Sequence, residues 1–487
     1  MDDTSLFRFK PGYAAAPVQT GLDWSAWDVQ NDPSQRGDPG TFGIAVSAPG
    51  SGGDPSRGFA KAIEMCNNNG HCRKFDVGTM CPSYRVTRDE VHSVRGRANT
   101  LRLAVSGQLG AEAWESEAVR DALALCVGCK GCKRECPTGV DMARMKIEAQ
   151  YQVGQRRGFS RKDRWVAHLP HLARTVAAIP GLAGLLNLRN RSGWLRVLGE
   201  KWLGFAAERT LPVWRRDTFA LTLSALKREH ASGSIAAHHD LATCDVVLWA
   251  DTFNNAFEPQ QLRAAFAVMR HLGLKVAVSG AAGKDPVCCG RSALSVGMVD
   301  EAKAHARRTL EVLAPAIARG VPVVGLEPSC ILSLRDEWLS MGLGAPAQRL
   351  AQLAMLFEEW WMHYLQSHAM PAVRQPVATV YVHGHCHQKA MGVMSPTIAA
   401  VTSVGASAQL IETSCCGMAG SFGYEAKHLH VSLAMAEASL LPAVRGAPEE
   451  AWIVADGFSC RHQIADGARR SAVHASQLIA HALGVSP

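Results

Sequence analysis

After about Thr243, apolar residues come in short runs, Val246 to Ala250, Val276 to Ser279, Val321 to Leu326, Thr379 to Val382 and Ile453 to Ala455. Between these runs apolar positions recur at three and four, as in Gln260 to Leu272, Ala302 to Ile317 and Lys427 to Leu441, the period of an amphipathic helix. Short buried runs alternating with helices predict parallel sheets and α/β architecture. Upstream, from about Phe59 to Gln152, only the helical period appears, for example over Ala98 to Leu109 and Ser116 to Leu125. An all-α module is expected there. Residues from Met1 to about Gly58 are rich in Pro, Gly, Ser and Asp and read as an extended arm, with Trp24 and Trp27 packed on the chain's own surface. The expected division is an arm over 1–57, a helical module over 58–152, a basic helical connector over 153–242, and two α/β units over 243–370 and 371–487.

The α/β units repeat a pattern. The first runs from a strand ending at Asp251, through Cys288-Cys289-Gly290, to Glu327-Pro328-Ser329-Cys330. The second runs from a strand ending at His383, through Cys415-Cys416-Gly417, to Asp456-Gly457-Phe458-Ser459-Cys460. Both patterns put cysteines at the carboxyl edge of parallel strands, where open sheets gather ligands. The second adds His383-Gly384-His385-Cys386-His387. This density of soft and borderline donors marks Cys386, Cys415, Cys416, Cys460, His383 and His385 as candidate metal ligands. The first has Asp251 and Asn254 in place of that cluster. Its Cys288, Cys289 and Cys330 form the weaker candidate, with inert buried thiols as the alternative, and Cys244 reads as an inert core thiol.

Within the helical module, Cys126-Val-Gly-Cys129-Lys-Gly-Cys132-Lys-Arg-Glu-Cys136-Pro137 reproduces the C-x2-C-x2-C-x3-C-P spacing that wraps a cubane iron–sulfur cluster. Three thiolates on one loop reach one cube, and the fourth ligates a second cluster in two-cluster ferredoxins. The partner stretch is Cys66-Asn-Asn-Asn69-Gly-His-Cys72, followed by Cys81-Pro82. Asn69 takes the place of a cysteine, and eight residues separate Cys72 from Cys81. By the crossover rule Cys81 completes the 4Fe-4S site of Cys126, Cys129 and Cys132. Cys66, Cys72 and Cys136 are left with three thiolates, which suits a 3Fe-4S centre, a cube with a further ligand such as His71, or an empty site. Zinc on paired C-x2-C elements is the alternative for the module as a whole. Arg95, Arg97, Lys130, Lys133 and Arg134 lie close enough in sequence to offset thiolate charge.

Charge and composition refine this reading. Of 51 Lys and Arg and 43 Asp and Glu, 15 and 4 fall between Tyr151 and Arg228, so one segment carries the whole basic excess. Trp165, Trp194, Trp202 and Trp214 share that segment with short amphipathic stretches such as Trp194 to Ala207. A docking face for an acidic partner or a membrane surface is expected. No nucleic-acid partner is expected, because no recognition module accompanies the charge. Fifteen cysteines without a basic-apolar signal segment after Met1 fit a reducing cytoplasm. The most apolar stretch, Thr175 to Leu188, is broken by Pro180, so the expectation is a chain that is soluble or peripheral on the inner face of a membrane.

Cys66 to Cys72, Met80-Cys81-Pro82-Ser83-Tyr84-Arg85, Arg95 to Arg102 and Cys126 to Val140 together resemble the iron–sulfur half of fused FAD/iron–sulfur 2-hydroxyacid dehydrogenases of the D-2-hydroxyglutarate and D-lactate type. With the two Cys-Cys-Gly patterns, the chain is also similar to iron–sulfur subunits of glycolate oxidase and anaerobic glycerol-3-phosphate dehydrogenase, and to the Cys-rich repeat of heterodisulfide reductase. The resemblance runs from Leu6-Phe7-Arg8-Phe9 onward. It implies an oxidoreductase component that takes electrons from a separate FAD-binding subunit and passes them to a quinone, cytochrome or flavoprotein. It departs at Ser333 and Gln463, which stand where heterodisulfide-reductase repeats end in cysteine. That leaves one cluster, a zinc ion or no metal for the α/β region. A metal-dependent disulfide or quinone reductase and a non-enzymatic iron–sulfur sensor are the alternative functions.

Overall fold

In the computed structural model the described residues are 15–28, 54–75, 78–223, 240–280 and 286–486. The expected strands form because their runs are buried on both faces, as parallel sheets require. β1 (Val246–Ala250) and β2 (Val276–Gly280) are buried at every position. They join β3 (Val323–Gly325) and β4 (Ala354–Leu356) in a parallel sheet of order β2-β1-β3-β4. A second parallel sheet, β6-β5-β7, is built from β5 (Thr379–His383), β6 (Ser407–Leu410) and β7 (Trp452–Ala455). In both sheets the first strand is central and lies between the second and third. Val473 makes a parallel bridge to Val454, at the place β4 holds in the first sheet.

Helices cover the sheets by the periodic faces expected. The longest, Val299–Arg319, buries Val299, Ala302, Ala306, Thr309, Leu313 and Ala316, carries Asp300 and Glu301 in its first turn and stops at Gly320. That acid-first, glycine-last arrangement suits the helix dipole and the left-handed cap. Lys427 to Leu441 is divided into Leu429–Glu437 and Leu440–Gly446, since Ser439 leaves the helical conformation.

The region before the sheets is helical among the described residues, with Val94–Val105, Glu117–Ala124 and Met142–Arg157 as its main helices. The described part of the arm is tied down over it. Gly21 N, Leu22 N and the Trp24 indole all donate to the buried Glu148 carboxylate, at 2.9, 2.9 and 3.0 Å, and Trp24 is buried. The Leu6-Phe7-Arg8-Phe9 stretch and residues 224–239 lie outside the described residues.

The connector forms helices Arg161–Ala167, Leu169–Ala178, Leu182–Arg191 and Gly193–Leu203. Among the described residues no single helix is long and apolar enough to cross a membrane, and Leu169–Ala178 with Leu182–Arg191 passes only as a pair bent by 110°.

Candidate iron–sulfur and metal centre

Cys81 caps the helix Pro82–Thr87, with Pro82 at its first position, where a fixed φ and a missing N–H cost nothing. The loop before it is pressed against the Cys126–Cys136 loop. A Cβ on Gly131 would come within 2.9 Å of Met80 N and 3.0 Å of the Thr79 side chain, so only glycine admits this approach. The Glu135 carboxylate accepts from Thr79 N (2.6 Å) and Met80 N (3.2 Å) and pairs with Lys74 at 3.0 Å. These contacts hold the two cysteine loops together.

Between them lies Arg97, 1 % exposed. Its guanidinium donates to Ala122 O (2.8 Å), Cys81 Sγ (3.3 Å) and Ser83 Oγ (2.7 Å). Burial opposes its charge, but the Cys81, Cys126 and Cys132 sulfurs more than offset that and raise its pKa. A buried cation needs a nearby anion, and the thiols are what faces this one. Burial pushes Cys129 and Cys132 well above the ordinary thiol range; neighbouring sulfurs push Cys129 further, and the Asp141 carboxylate followed by Cys126 does so for Cys132. Ionising this group therefore calls for a strong positive partner, which metal binding supplies as it displaces thiol protons. The structure thus brings Cys81, Cys126 and Cys132 around Arg97, and Cys129 joins them through Cys132 and Cys81. Cys66 and Cys72 face Arg95 instead. Cys136 contacts Thr138 Oγ1 at 3.3 Å, and Pro137 shares a pocket with Asn69, Gly70 and His71.

The second constellation continues from the first. Cys129 interacts with Cys415, and Cys386 with Cys129. Cys386 is hydrogen-bonded to Cys415, Cys415 to Cys416, and Cys460 Sγ donates to Cys416 Sγ at 3.5 Å. A His383 ring nitrogen and the Cys416 and Cys460 sulfurs lie within 4.8 Å of one another. His383 Nδ1 contacts Thr413 Oγ1 at 3.2 Å, and its Nε2 is buried without a partner. Burial holds this imidazole well below its usual pKa, with Lys389 adding to the effect, so it is the neutral form that binds metals. Lys389 Nζ donates to Thr413 O, Thr413 Oγ1 and Ser414 O at 2.7, 2.9 and 2.9 Å. It thereby orients the hydroxyl behind His383, as outer groups orient a ligating histidine. Hydrogen bonds from Cys386 and Cys416 hold the Cys415 thiol well below the ordinary range despite burial. An orphaned nitrogen beside the Cys416 and Cys460 thiols fits a metal or cluster. His385 serves the backbone instead, capping the helix Cys386–Met391 and accepting from His387 N at 3.1 Å through Nδ1.

The third group is Cys288, Cys289 and Cys330, with thiols hydrogen-bonded in that order. Ser333 Oγ donates to Ser329 O and Gln463 Nε2 to Ser432 O, so the residues standing for final cysteines are engaged with backbone. Cys244 is buried, with Leu241 O as its acceptor at 3.8 Å. Sequence reasoning missed Glu135, Thr413 and Lys389; of these only Lys389, close behind the His-Cys-His stretch, carried a local signal.

Comparison with known proteins fits this geometry. Residues 62–140 match the family described as 4Fe-4S dicluster domain. The chain is 25% identical over 450 residues to D-2-hydroxyglutarate dehydrogenase of Escherichia coli K12, covering 82% of this chain and 41% of that protein. It is 26% identical over 280 residues to one of the subunits of anaerobic glycerol-3-phosphate dehydrogenase from the same organism, covering 56% of this chain and 66% of that one. Over 132 residues it is 33% identical to a probable glycolate oxidase iron-sulfur subunit of Bacillus subtilis 168, covering 25% of this chain and 29% of that one. No solved structure matches. The chain is thus related over most of its length to a dehydrogenase of which it spans less than half, and its helical module matches a 4Fe-4S domain.

Proposed function

We propose that this chain is the iron–sulfur electron-transfer component of a flavin-linked D-2-hydroxyacid dehydrogenase, with FAD held by a partner subunit or segment. The observation that carries this reading is the buried Arg97 facing thiols from both cysteine loops. Cys81, Cys126, Cys129 and Cys132 would hold a 4Fe-4S cluster, and Cys66, Cys72 and Cys136 a second centre short of one thiolate. Cys386, Cys415, Cys416 and Cys460 with His383 would hold a further metal or cluster. Bound iron–sulfur clusters supply one-electron carriers, which a two-electron flavin donor needs. The chain's own residues bury Cys81, Cys126, Cys129 and Cys132, offset their negative charge through Arg97, and set the 126–132 loop against Cys386 and Cys415. The electron acceptor belongs to the quinone, cytochrome or flavoprotein class.

Anaerobic co-purification with a tagged chain, followed by iron, sulfide, zinc and flavin counts, tests the assignment; stoichiometric zinc without sulfide in the helical module sinks it. With the partner present, Cys129→Ser is expected to lower acceptor reduction at least a hundredfold while substrate still reduces the flavin.

A peripheral membrane contact is part of the proposal. Leu185, Trp194, Val197 and Trp202 are 64%, 69%, 63% and 78% exposed on consecutive connector helices, interleaved with Arg191, Lys201 and other basic residues. Apolar faces rimmed by cations suit anionic lipid surfaces. Trp194→Ala with Trp202→Ala is expected to abolish co-sedimentation with phosphatidylglycerol vesicles; unchanged co-sedimentation would remove this part of the proposal.

A further inference from the structure

A cavity of about 1220 Å³ lies where the helical module, the connector and both α/β units meet. At one side it reaches Cys126, Cys386, Cys415 and Cys416. Its aromatic wall is nearly continuous: Trp214 lies 4.9 Å from Phe257, Phe257 5.9 Å from Phe458, and Phe458 5.2 Å from Phe253, ring centre to ring centre. Trp165 and Phe205, 6.3 Å apart, also line it. Five other lining residues carry buried polar atoms without a hydrogen-bonding protein partner, His92 Nδ1, Gln150 Oε1, His387 Nδ1, Tyr424 Oη and His428 Nδ1. Five Lys and Arg and six Asp and Glu border the space, so it has no net positive field for a carboxylate or a phosphate. Aromatic walls, scattered polar atoms and balanced charge describe a site for an uncharged, flat, carbonyl-bearing ring.

We propose that this cavity binds a quinone, which selects one class among the possible electron acceptors. The assignment rests on the electron-transfer reading only for its role, since binding itself needs the cavity alone. Reduction converts both ring carbonyls to hydroxyls. It takes two electrons, which the reduced flavoprotein partner provides, and two protons from water at the cavity mouth. The connector that supplies Trp165 and Trp214 to the cavity wall also exposes Trp194 and Trp202.

The test is equilibrium binding of 2,3-dimethoxy-5-methyl-6-decyl-1,4-benzoquinone to the full, anaerobically purified chain, by calorimetry. Its four ring positions are substituted, which prevents addition of cysteine thiols. Saturable one-site binding, weakened at least tenfold, or about 1.4 kcal/mol, in both Trp214→Ala and Tyr424→Phe is expected. Should Trp214→Ala lose its native melting transition, Tyr424→Phe alone decides. No saturable binding by the wild-type chain, equal affinity in the variants, or binding of lumiflavin in preference to the quinone would each overturn the proposal. Iron and sulfide counts on the same preparations keep the two readings apart: quinone binding by a cluster-free chain would leave the cavity assignment standing and the electron-transfer reading without support.

Discussion

The two α/β units share a strand order and the same placement of thiols, yet the polar groups around those thiols differ in kind. Helix Thr252–Ala256 follows β1 as helix Cys386–Met391 follows β5, so Thr252 and Cys386 occupy the same first helical position. Thr252 Oγ1 is 4.0 Å from Cys288 Sγ, the counterpart of the Cys386 contact with Cys415. The caps before those helices are Asp251 and His385. Cys330 and Cys460 each follow their cap by three residues, but those caps are Glu327 and Gly457. The first unit therefore surrounds three thiols with two buried carboxyls. The second surrounds four with imidazoles and the Lys389 ammonium. A Cys289 hydrogen bond lowers the Cys330 pKa, yet burial and the Asp251 and Glu327 carboxylates take it to about 12. Equivalent backbones thus offer one site whose three thiols are all pushed up, and one in which Cys386 and Cys416 are pushed up but Cys415 is held down. The lesson is that ligand-bearing loops do not make a metal site unless the surrounding charge lets the ligands ionise.

The sharpest way to break this contrast is metal analysis of single variants. Cys415→Ser is expected to lose a full equivalent of the α/β-region metal, and Cys288→Ser to lose none; equal losses would erase the distinction. Next in size is a pH effect confined to the first unit. Burial and Glu327 raise Asp251 from 3.8 to about 6. A carboxyl more basic in the folded state than in the unfolded chain takes up its proton preferentially on folding. Its contribution is most favourable below the unfolded value and is lost as pH rises from about 4 to 6, a swing of about 3 kcal/mol. Asp251→Asn keeps a competent cap and should flatten that part of the stability–pH profile in chemical denaturation; an unchanged profile would show that Asp251 is not the titrating group. The smallest effect is expected from Lys389→Met, which leaves every thiol in place. Loss of the ammonium behind Thr413 and His383 should weaken metal retention about 10–100-fold, read by competition with a chelator, whereas Lys389→Arg should retain most of it.

Much of this frame was legible beforehand. β1, β2, β3, β5 and β7 fall on the predicted runs because they carry buried apolar residues. β4 and β6 escaped for opposite reasons. β4 is three residues leading directly into a helix, and β6 is an edge strand, Ser-Ala-Gln-Leu, with no fully buried position. The association of Cys81 with a loop 45 residues later was readable from the Cys-Pro endings. The Glu135 clamp was not, because its partners are the backbone amides of Thr79 and Met80 and leave no mark in side-chain identity. The same holds for Lys389, whose three acceptors include two carbonyls. The aromatic cavity wall draws on residues from Trp165 to Phe458, a span over which spacing carries no information.

Ser414 Oγ reaches Thr79 O at 2.5 Å and His387 Nε2 lies 3.1 Å from Gly128 O, so the cysteine loops of the helical module are backed by the far end of the chain. On the same loop Lys130 is sealed between Asp336 at 2.8 Å and Glu337 at 2.6 Å. A fragment cut out at 58–152 would keep all seven of its thiols and still be an unfinished vessel, with a stranded Lys130 ammonium and an open wall beside Cys129. Synthesis must therefore reach the last hundred residues before these loops can be walled in.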